Sequence, residues 1–196
     1  SIEVMKRLWT GEEVTFHGKY FHVTRGRMGV TPVQKPGPPI WITSHSPGAA
    51  ARAGRIGDGV FFSPFVGWKD MLALRDIYLA EAKKAGRTPR LAASRFVAIG
   101  KDPQSAVRQH AGALEQQIAM YQGWNMQEST MVKLRWSLEE PATDFVVAGT
   151  YQQCVEALAR YRDEIGVSHV TLTPLGMPAD MAGRIEAIRA AAEGIV

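Results

Sequence analysis

Cysteine is nearly absent from this 196-residue sequence, and long apolar runs and dense clusters of one charge are missing altogether. The single cysteine, Cys154, excludes an internal disulfide, and together with the lack of a signal peptide it favours a cytoplasmic location. No window approaches the roughly 18 apolar residues of a membrane-spanning helix, so no membrane partner is expected. The net charge of +4 is spread along the chain, which predicts a solvated surface and no nucleic-acid partner.

The signatures of several catalytic classes are missing as well. The five histidines show no metal-ligand spacing, so no metal site is predicted. The chain contains neither a P-loop nor a nucleophile elbow. Gly54, Gly57 and Gly59 lie at the wrong end of the nearest predicted helix for a dinucleotide-binding fingerprint, which leaves the competing fold, a flat doubly wound sheet, without support.

The stretch 38–64 has the clearest pattern in the chain. Residues 39–43 form a short apolar run of strand formers, and Ser46 followed by Pro47 predicts a helix start with a hydroxyl cap. Alanines continue this helix, a glycine-flanked turn ends it, and residues 60–62 form a second buried strand. Two apolar strands joined by one helix are typical of a βαβ unit in a parallel sheet.

The rest of the chain repeats this unit. Periodicity predicts helices over 1–9, 71–85, 103–122, 150–165 and 179–192, a hairpin over 13–24, strands over 91–100 and 167–173, and short covering helices over 123–143. Four parallel strand-helix units, preceded by a helix and a β-hairpin, make half of an eight-stranded barrel, which typically needs about 250 residues.

We therefore predict an α/β fold that is the C-terminal half of a (β/α)8 TIM barrel, with the N-terminal strands missing. The chain would be a single partial domain, in which residues 1–38 form the helix, hairpin and connector and residues 39–196 form the four units. A chain that lacks an initiator methionine and opens inside a helix fits a fragment of a longer protein.

Helix N-termini in such a barrel point to the face where the strands end, so predicted helix starts mark candidate sites. Their exposed N–H groups and positive dipole end suit a phosphate. The predicted binding residues lie in the turn after the first strand, at the exit of the second strand and at a later helix start: Ser44, His45, Ser46, Ser63, Gly149 and Thr150. The alternative, that Ser46 and Thr150 only cap their helices, stays open at this point.

Several motifs resemble those of bacterial luciferase-like monooxygenases, and they occur in the order found in that family. They are RLWTGE at 7–12, VTFHGKYF at 14–21, PPIWI at 38–42, RIGDG at 55–59, AGT at 148–150 and GVSHV at 166–170. Each motif is modest alone, but together they cover most of the chain.

The resemblance implies a barrel that binds FMN, or the deazaflavin coenzyme of a sister branch, with the cofactor phosphate near Ser44, His45, Ser46 and Ser63. At this turn many relatives carry paired glycines, where the present chain has Ser44 and His45. The implied activity is that of a flavin-dependent oxidoreductase acting on a small organic substrate. Reduced flavin activates oxygen for monooxygenation, whereas deazaflavin exchanges hydride with the substrate. The expected partners are a flavin reductase and further copies of the chain in a homo-oligomer. No catalytic acid or base is assigned, and activity of the 196-residue chain alone is left open.

Two other functions are compatible with the residues. A non-catalytic half-barrel would need a separately encoded partner half or self-association, because missing strands leave open sheet edges. A phosphate-binding isomerase or aldolase would keep the barrel, but such an enzyme is expected to have a catalytic Lys or Glu at a strand end. None of the four predicted strands ends on one.

Overall fold

Two sheets occur in the computed structural model, which describes residues 1–123, 145–176 and 182 of the chain. The first is a two-stranded hairpin within the unit Ser1–Ile40, and the second is a five-stranded sheet within the unit Trp41–Val196. Within the described ranges, no helix combines the length and the apolar character that crossing a bilayer requires.

The first unit contains the predicted helix and hairpin. Helix α1 spans Ile2–Trp9, and strands β1 (Val14–His17) and β2 (His22–Gly26) pair antiparallel. Val4 on α1 and Val14 on β1 are buried. Both predictions for this part of the chain are confirmed.

The second unit alternates strands and helices. Its elements are β3 (Trp41–Ser44), α2 (Pro47–Ile56), β4 (Gly59–Phe62), α3 (Trp68–Lys84), β5 (Leu91–Ile99), α4 (Pro103–Gln109), α5 (Ala111–Gly123), β6 (Val146–Gly149), α6 (Tyr151–Arg160) with a π-helical turn (Tyr161–Ile165), and β7 (His169–Pro174). All five strands are parallel, so their carboxyl ends point the same way. The predicted α/β class with a partial barrel is confirmed.

Strand β5 pairs with three other strands. β4 pairs with residues 91–93 and β6 with residues 96–99, while β7 runs beside residues 92–97. Because a strand has only two edges and β7 occupies one of them, β4 and β6 follow one another along the other edge. At the two ends of the described sheet, the outer edges of β3 and β7 pair with no described strand.

The core lies mainly between the sheet and its helices. Side chains that alternate along the strands, Val60, Phe62, Leu91 and Ala93, pack against small and apolar residues of α2 and α3. A second cluster lies near the carboxyl end of β5 and contains Phe65, Phe96, Ala98, Leu114 and Val146. On the face opposite to Val60, the Trp41 and His169 rings of the two outer strands meet edge-on, with 6.2 Å between their centroids.

Two sequence predictions need correction. The helix predicted over 103–122 is divided at His110, where α4 ends and α5 begins, and the His110 ring lies against Gly176 in the turn after β7. Strand β6 was not predicted, and its pairing with β5 identifies these four residues as a strand. The helices predicted over 123–143 and 179–192 lie outside the described residues, apart from Gly123 and Ala182.

Gly54 sets how closely α2 and α3 approach. A Cβ at this position would lie 2.6 Å from the Tyr78 carbonyl oxygen and 2.8 Å from the Ala82 nitrogen, both backbone atoms of α3. We therefore expect Gly54→Ala to lower the free energy of unfolding by about 1–3 kcal/mol, since the helices must separate.

The matched control is Gly112→Ala in α5, where a Cβ would meet nothing within 4 Å. This change should leave stability unaltered or raise it by up to about 1 kcal/mol, because alanine favours helix. Urea denaturation of both variants measures the difference. Equal stabilities would contradict the close helix approach.

Candidate functional site

The turn between β3 and α2 starts the helix as the sequence predicts. Ser46 has an extended backbone, and its Oγ accepts a hydrogen bond of 3.3 Å from the Ala49 amide. Pro47 occupies the first turn, which contains no acidic residue. The space beside Gly48 in this first turn is open. The helix start therefore presents a positive dipole end without a competing carboxylate in its own turn.

Ser44 ends β3 and is fully buried. It pairs in register with Phe62, whose side chain belongs to the core between sheet and helices. The Ser44 Oγ donates to the Ser46 carbonyl oxygen over 3.4 Å, so the hydroxyl lies inside the turn. Direct contact between this hydroxyl and a phosphate stays a prediction.

His45 is partly exposed, but its Nδ1 atom is buried and has no hydrogen-bond partner among the described residues. Burial lowers the pKa of His45 below its usual value of 6.5, so the imidazole is neutral at pH 7. The residue lines a cavity of about 270 Å³, together with Phe65, Val66 and the exposed Asp70 among others. Because the Asp70 carboxylate repels anions, the cavity itself is a poor place for a phosphate.

Ser63 follows β4 and begins a tight turn. The Val66 amide donates to the Ser63 carbonyl oxygen (3.1 Å), and the Phe65 amide donates to the Ser63 Oγ (3.2 Å). With Pro64 at its second position, this arrangement is a β-turn stabilised by the serine hydroxyl. The hydroxyl hydrogen of Ser63 is still available to an acceptor, since the oxygen only accepts in this bond.

The parallel register places Ser44, the last residue of β3, close to Ser63, the first residue after the neighbouring strand β4. Ser44 is level with Phe62, and Ser63 comes next along the chain. Adjacent strands lie about 4.8 Å apart, so the turns that follow β3 and β4 leave the same end of the sheet side by side. The structure thus brings together four of the predicted residues: Ser44, His45, Ser46 and Ser63.

Gly149 and Thr150 lie elsewhere along the sheet. Phe62 is level with Ala93 of β5, whereas Gly149 is level with Ile99, six residues farther on. At about 3.3 Å per residue, the two levels are about 20 Å apart along the strand. Thr150 forms a capping box: its Oγ1 accepts from the Gln153 amide, and its own amide donates to the Gln153 side chain. Both hydrogen bonds serve the helix cap, and phosphate binding by this pair stays a prediction.

Arg95 was not among the predicted residues, and it is fully buried in β5 beside the turn after β4. The signal was present as a single basic residue inside the strand LAASRFVAI, whose other residues are apolar except for Ser94. In the described part of the chain, no group of three His, Cys, Asp or Glu side chains could hold a metal ion.

The assembled groups suit an anion. Ser46 and Ser63 each keep a hydroxyl hydrogen, and the first turn of α2 adds backbone N–H groups at its positive end. These are neutral donors, which bind phosphate through geometry more than through net charge.

The chain belongs to the luciferase-like monooxygenase family, because the sequence model of that family matches residues 1–169. The resemblance expected from the motifs is therefore confirmed.

Relatives with known activities share this family likeness. The F420-dependent hydroxymycolic acid dehydrogenase of Mycobacterium tuberculosis is 32% identical over 125 residues, 59% of this chain and 33% of the relative. The F420-dependent glucose-6-phosphate dehydrogenase of Gordonia bronchialis is 29% identical over 184 residues, 87% of this chain and 52% of the relative. The chain thus spans a third to a half of the length of these relatives.

Solved structures support the fold. The monooxygenase RslO1 from Streptomyces bottropensis superposes with a TM-score of 0.71 at 22% identity, covering 99% of this chain and 58% of its own. An F420-dependent secondary alcohol dehydrogenase in complex with an F420-acetone adduct also superposes with a TM-score of 0.71, at 17% identity. The match covers 100% of this chain and 60% of the dehydrogenase. A third structure is the oxygenating constituent of a Baeyer-Villiger monooxygenase from Pseudomonas putida in complex with FMN. It superposes with a TM-score of 0.68 at 17% identity, and the match covers 94% of this chain and 58% of the monooxygenase.

The lowered pKa of His45 can be tested by titration. Because the unfolded chain binds a proton on this imidazole more readily than the folded chain does, stability should fall as the pH drops below about 6.5. We expect the His45 signal in an NMR titration to have its midpoint below 6.5. The variant His45→Gln should remove that signal and reduce the loss of stability in acid. A midpoint at or above 6.5 would disprove burial of the ring.

Proposed function

We propose that the chain is the C-terminal portion of a flavin-dependent oxidoreductase of the luciferase-like family, and that the turns after β3 and β4 hold the phosphate of its cofactor. The observation that supports this most is the capped start of α2 at the carboxyl end of β3, beside the Ser63 turn. The cofactor is FMN or the deazaflavin F420, since relatives of both kinds share the family or its fold.

The residues present fit a phosphate. The Ser46 and Ser63 hydroxyls can donate to its oxygens, and the amides at the start of α2 lie at the end of the helix that favours negative charge. Ser44 would hold the shape of the turn through its bond to the Ser46 carbonyl group. His45 would line the adjacent cavity as a neutral group.

A bound flavin supplies the redox chemistry, through hydride transfer or through reduction of oxygen. The residues described here orient the cofactor by its phosphate end. The substrate class is a small organic molecule, and a flavin reductase and self-association stay predictions. Because the relatives are longer, these proposals concern the whole protein that contains this sequence.

Charge at Ser46 tests the proposed site. Aspartate and asparagine both cap helices well, so Ser46→Asp and Ser46→Asn should both preserve α2. Only aspartate places a negative charge against the phosphate. We expect Ser46→Asp to weaken FMN or F420 binding at least tenfold, whereas Ser46→Asn should change it less than threefold.

The measurement is a fluorescence titration of the full-length protein, with Thr150→Asp as a control at the more distant helix start. Equal affinities for the aspartate and asparagine variants would remove Ser46 from the site. If only Thr150→Asp lost cofactor binding, the phosphate would instead bind at the start of α6.

A second candidate function is supported by the open edges of the described sheet. The outer edges of β3 and β7 pair with no described strand, and such edges can take up a strand from another chain. A half-barrel that assembles with a partner half or with a second copy would use them.

Association of the 196-residue chain tests this candidate. We expect light scattering after size exclusion to show dimers or larger species for this chain alone, since edges without a partner among the described strands favour pairing. A monomer at all concentrations, with slow hydrogen exchange in β3 and β7, would rule out a need for a partner.

A further inference from the structure

Arg95 is an unusual residue for the middle of a sheet strand. Its side chain is 0% exposed, and it points from β5 towards the layer of helices. Burying a guanidinium group costs several kcal/mol unless its donors are satisfied, so such a residue needs specific partners.

Each of the five N–H groups of Arg95 has an acceptor. Nε donates to the Tyr161 hydroxyl at 2.7 Å. Nη1 donates to the Ser63 and Ser94 carbonyl oxygens at 3.1 and 2.8 Å. Nη2 donates to the Val66 carbonyl oxygen at 3.0 Å and to the Met71 sulfur at 3.5 Å. The number of these bonds matches the five donors of a guanidinium, which cannot lose its proton.

Two of these bonds hold the turn that follows β4. Ser63 and Val66 are the first and last residues of the β-turn, and Arg95 binds the carbonyl oxygens of both. The two terminal nitrogens of a guanidinium lie in one plane at a fixed separation. The turn therefore has one orientation relative to β5, and the Ser63 hydroxyl, bonded to the Phe65 amide, is oriented with it.

Besides the bonds to the Ser63 turn, the Arg95 guanidinium contacts Tyr161 in the π-helical turn. The cation lies 5.0 Å from the centre of the Tyr161 ring, in addition to the bond to its hydroxyl. Trp68, at the start of α3, packs edge-on against the same ring with 4.9 Å between centroids. Arg95 thus connects the Ser63 turn to the helices on the outside of the sheet.

We infer that Arg95 is a positioning residue for the cofactor phosphate, which acts by fixing the Ser63 turn and touches no ligand itself. This inference rests on the proposed function of Ser63. Arg95 would raise the affinity for phosphate without touching it, because it holds the two carbonyl groups of the Ser63 turn.

The test compares cofactors with and without a phosphate in the full-length protein. FMN and riboflavin share the ring system, so the ratio of their affinities isolates the phosphate site; F420 and its phosphate-free deazaflavin serve if the protein binds those instead. We expect Arg95→Met to weaken FMN binding at least tenfold and riboflavin binding less than twofold. Arg95→Lys, with three donors, should fall between wild type and Arg95→Met.

A double-mutant cycle shows whether Arg95 acts through Ser63. If it does, Ser63→Ala should weaken FMN binding in the wild-type background and have little further effect in Arg95→Met. Tyr161→Phe is the matched control: it removes one bond to the same guanidinium but leaves both turn carbonyl groups held, so the FMN to riboflavin ratio should be unchanged.

The outcomes separate the two proposals. If wild type binds FMN no better than riboflavin, and F420 no better than its phosphate-free form, the proposed phosphate site fails. If wild type prefers the phosphate form and Arg95→Met keeps that preference, or loses both ligands equally, the positioning role is overturned. If the variants do not fold, hydrogen exchange in the wild-type protein tests the inference instead. The Val66 amide should be protected from exchange before FMN is added, and rapid exchange of this amide would refute the inference.

Discussion

The parallel pairing of β5 with three strands is the constraint on which the rest of the structure depends. β4 and β6 share one edge of β5, and between the two paired stretches lie Ser94 and Arg95. The turn after β4 leaves the sheet at this point, and the Arg95 side chain supplies the donors for its carbonyl groups. Where β4 and β6 leave the edge of β5 unpaired, the Arg95 side chain thus provides hydrogen bonds. Because all of its donors are satisfied, the buried charge costs little stability.

This constraint explains why the proposed site depends on geometry. Ser46, Ser63 and the first amides of α2 are neutral donors, and the neighbouring imidazole is held neutral by burial. Each neutral hydrogen bond contributes only about 1 kcal/mol, so several must be aligned at once to bind a phosphate firmly.

Much of the fold could be predicted from local patterns. The Ser46-Pro47 start, the Thr150 capping box and the strands around Val60 and Phe96 follow from signals within a few residues. The break at His110 could not be predicted, because the ring packs against a turn some 66 positions later in the chain. Strand β6 was not predicted either, since its pairing with the distant strand β5 is what identifies its four residues as a strand.

The sequence by itself determined the α/β class, the family and the capped starts of α2 and α6, since these depend on periodicity, capping chemistry and the order of short motifs. Only the tertiary structure decided which candidates lie together. Register places Ser44 beside the Ser63 turn but puts Gly149 about 20 Å farther along β5, and no local pattern encodes register between distant segments. The contacts of Arg95 were decided in the same way, because its acceptors lie up to 66 residues away from it in the chain and meet only when the sheet and its helices have packed.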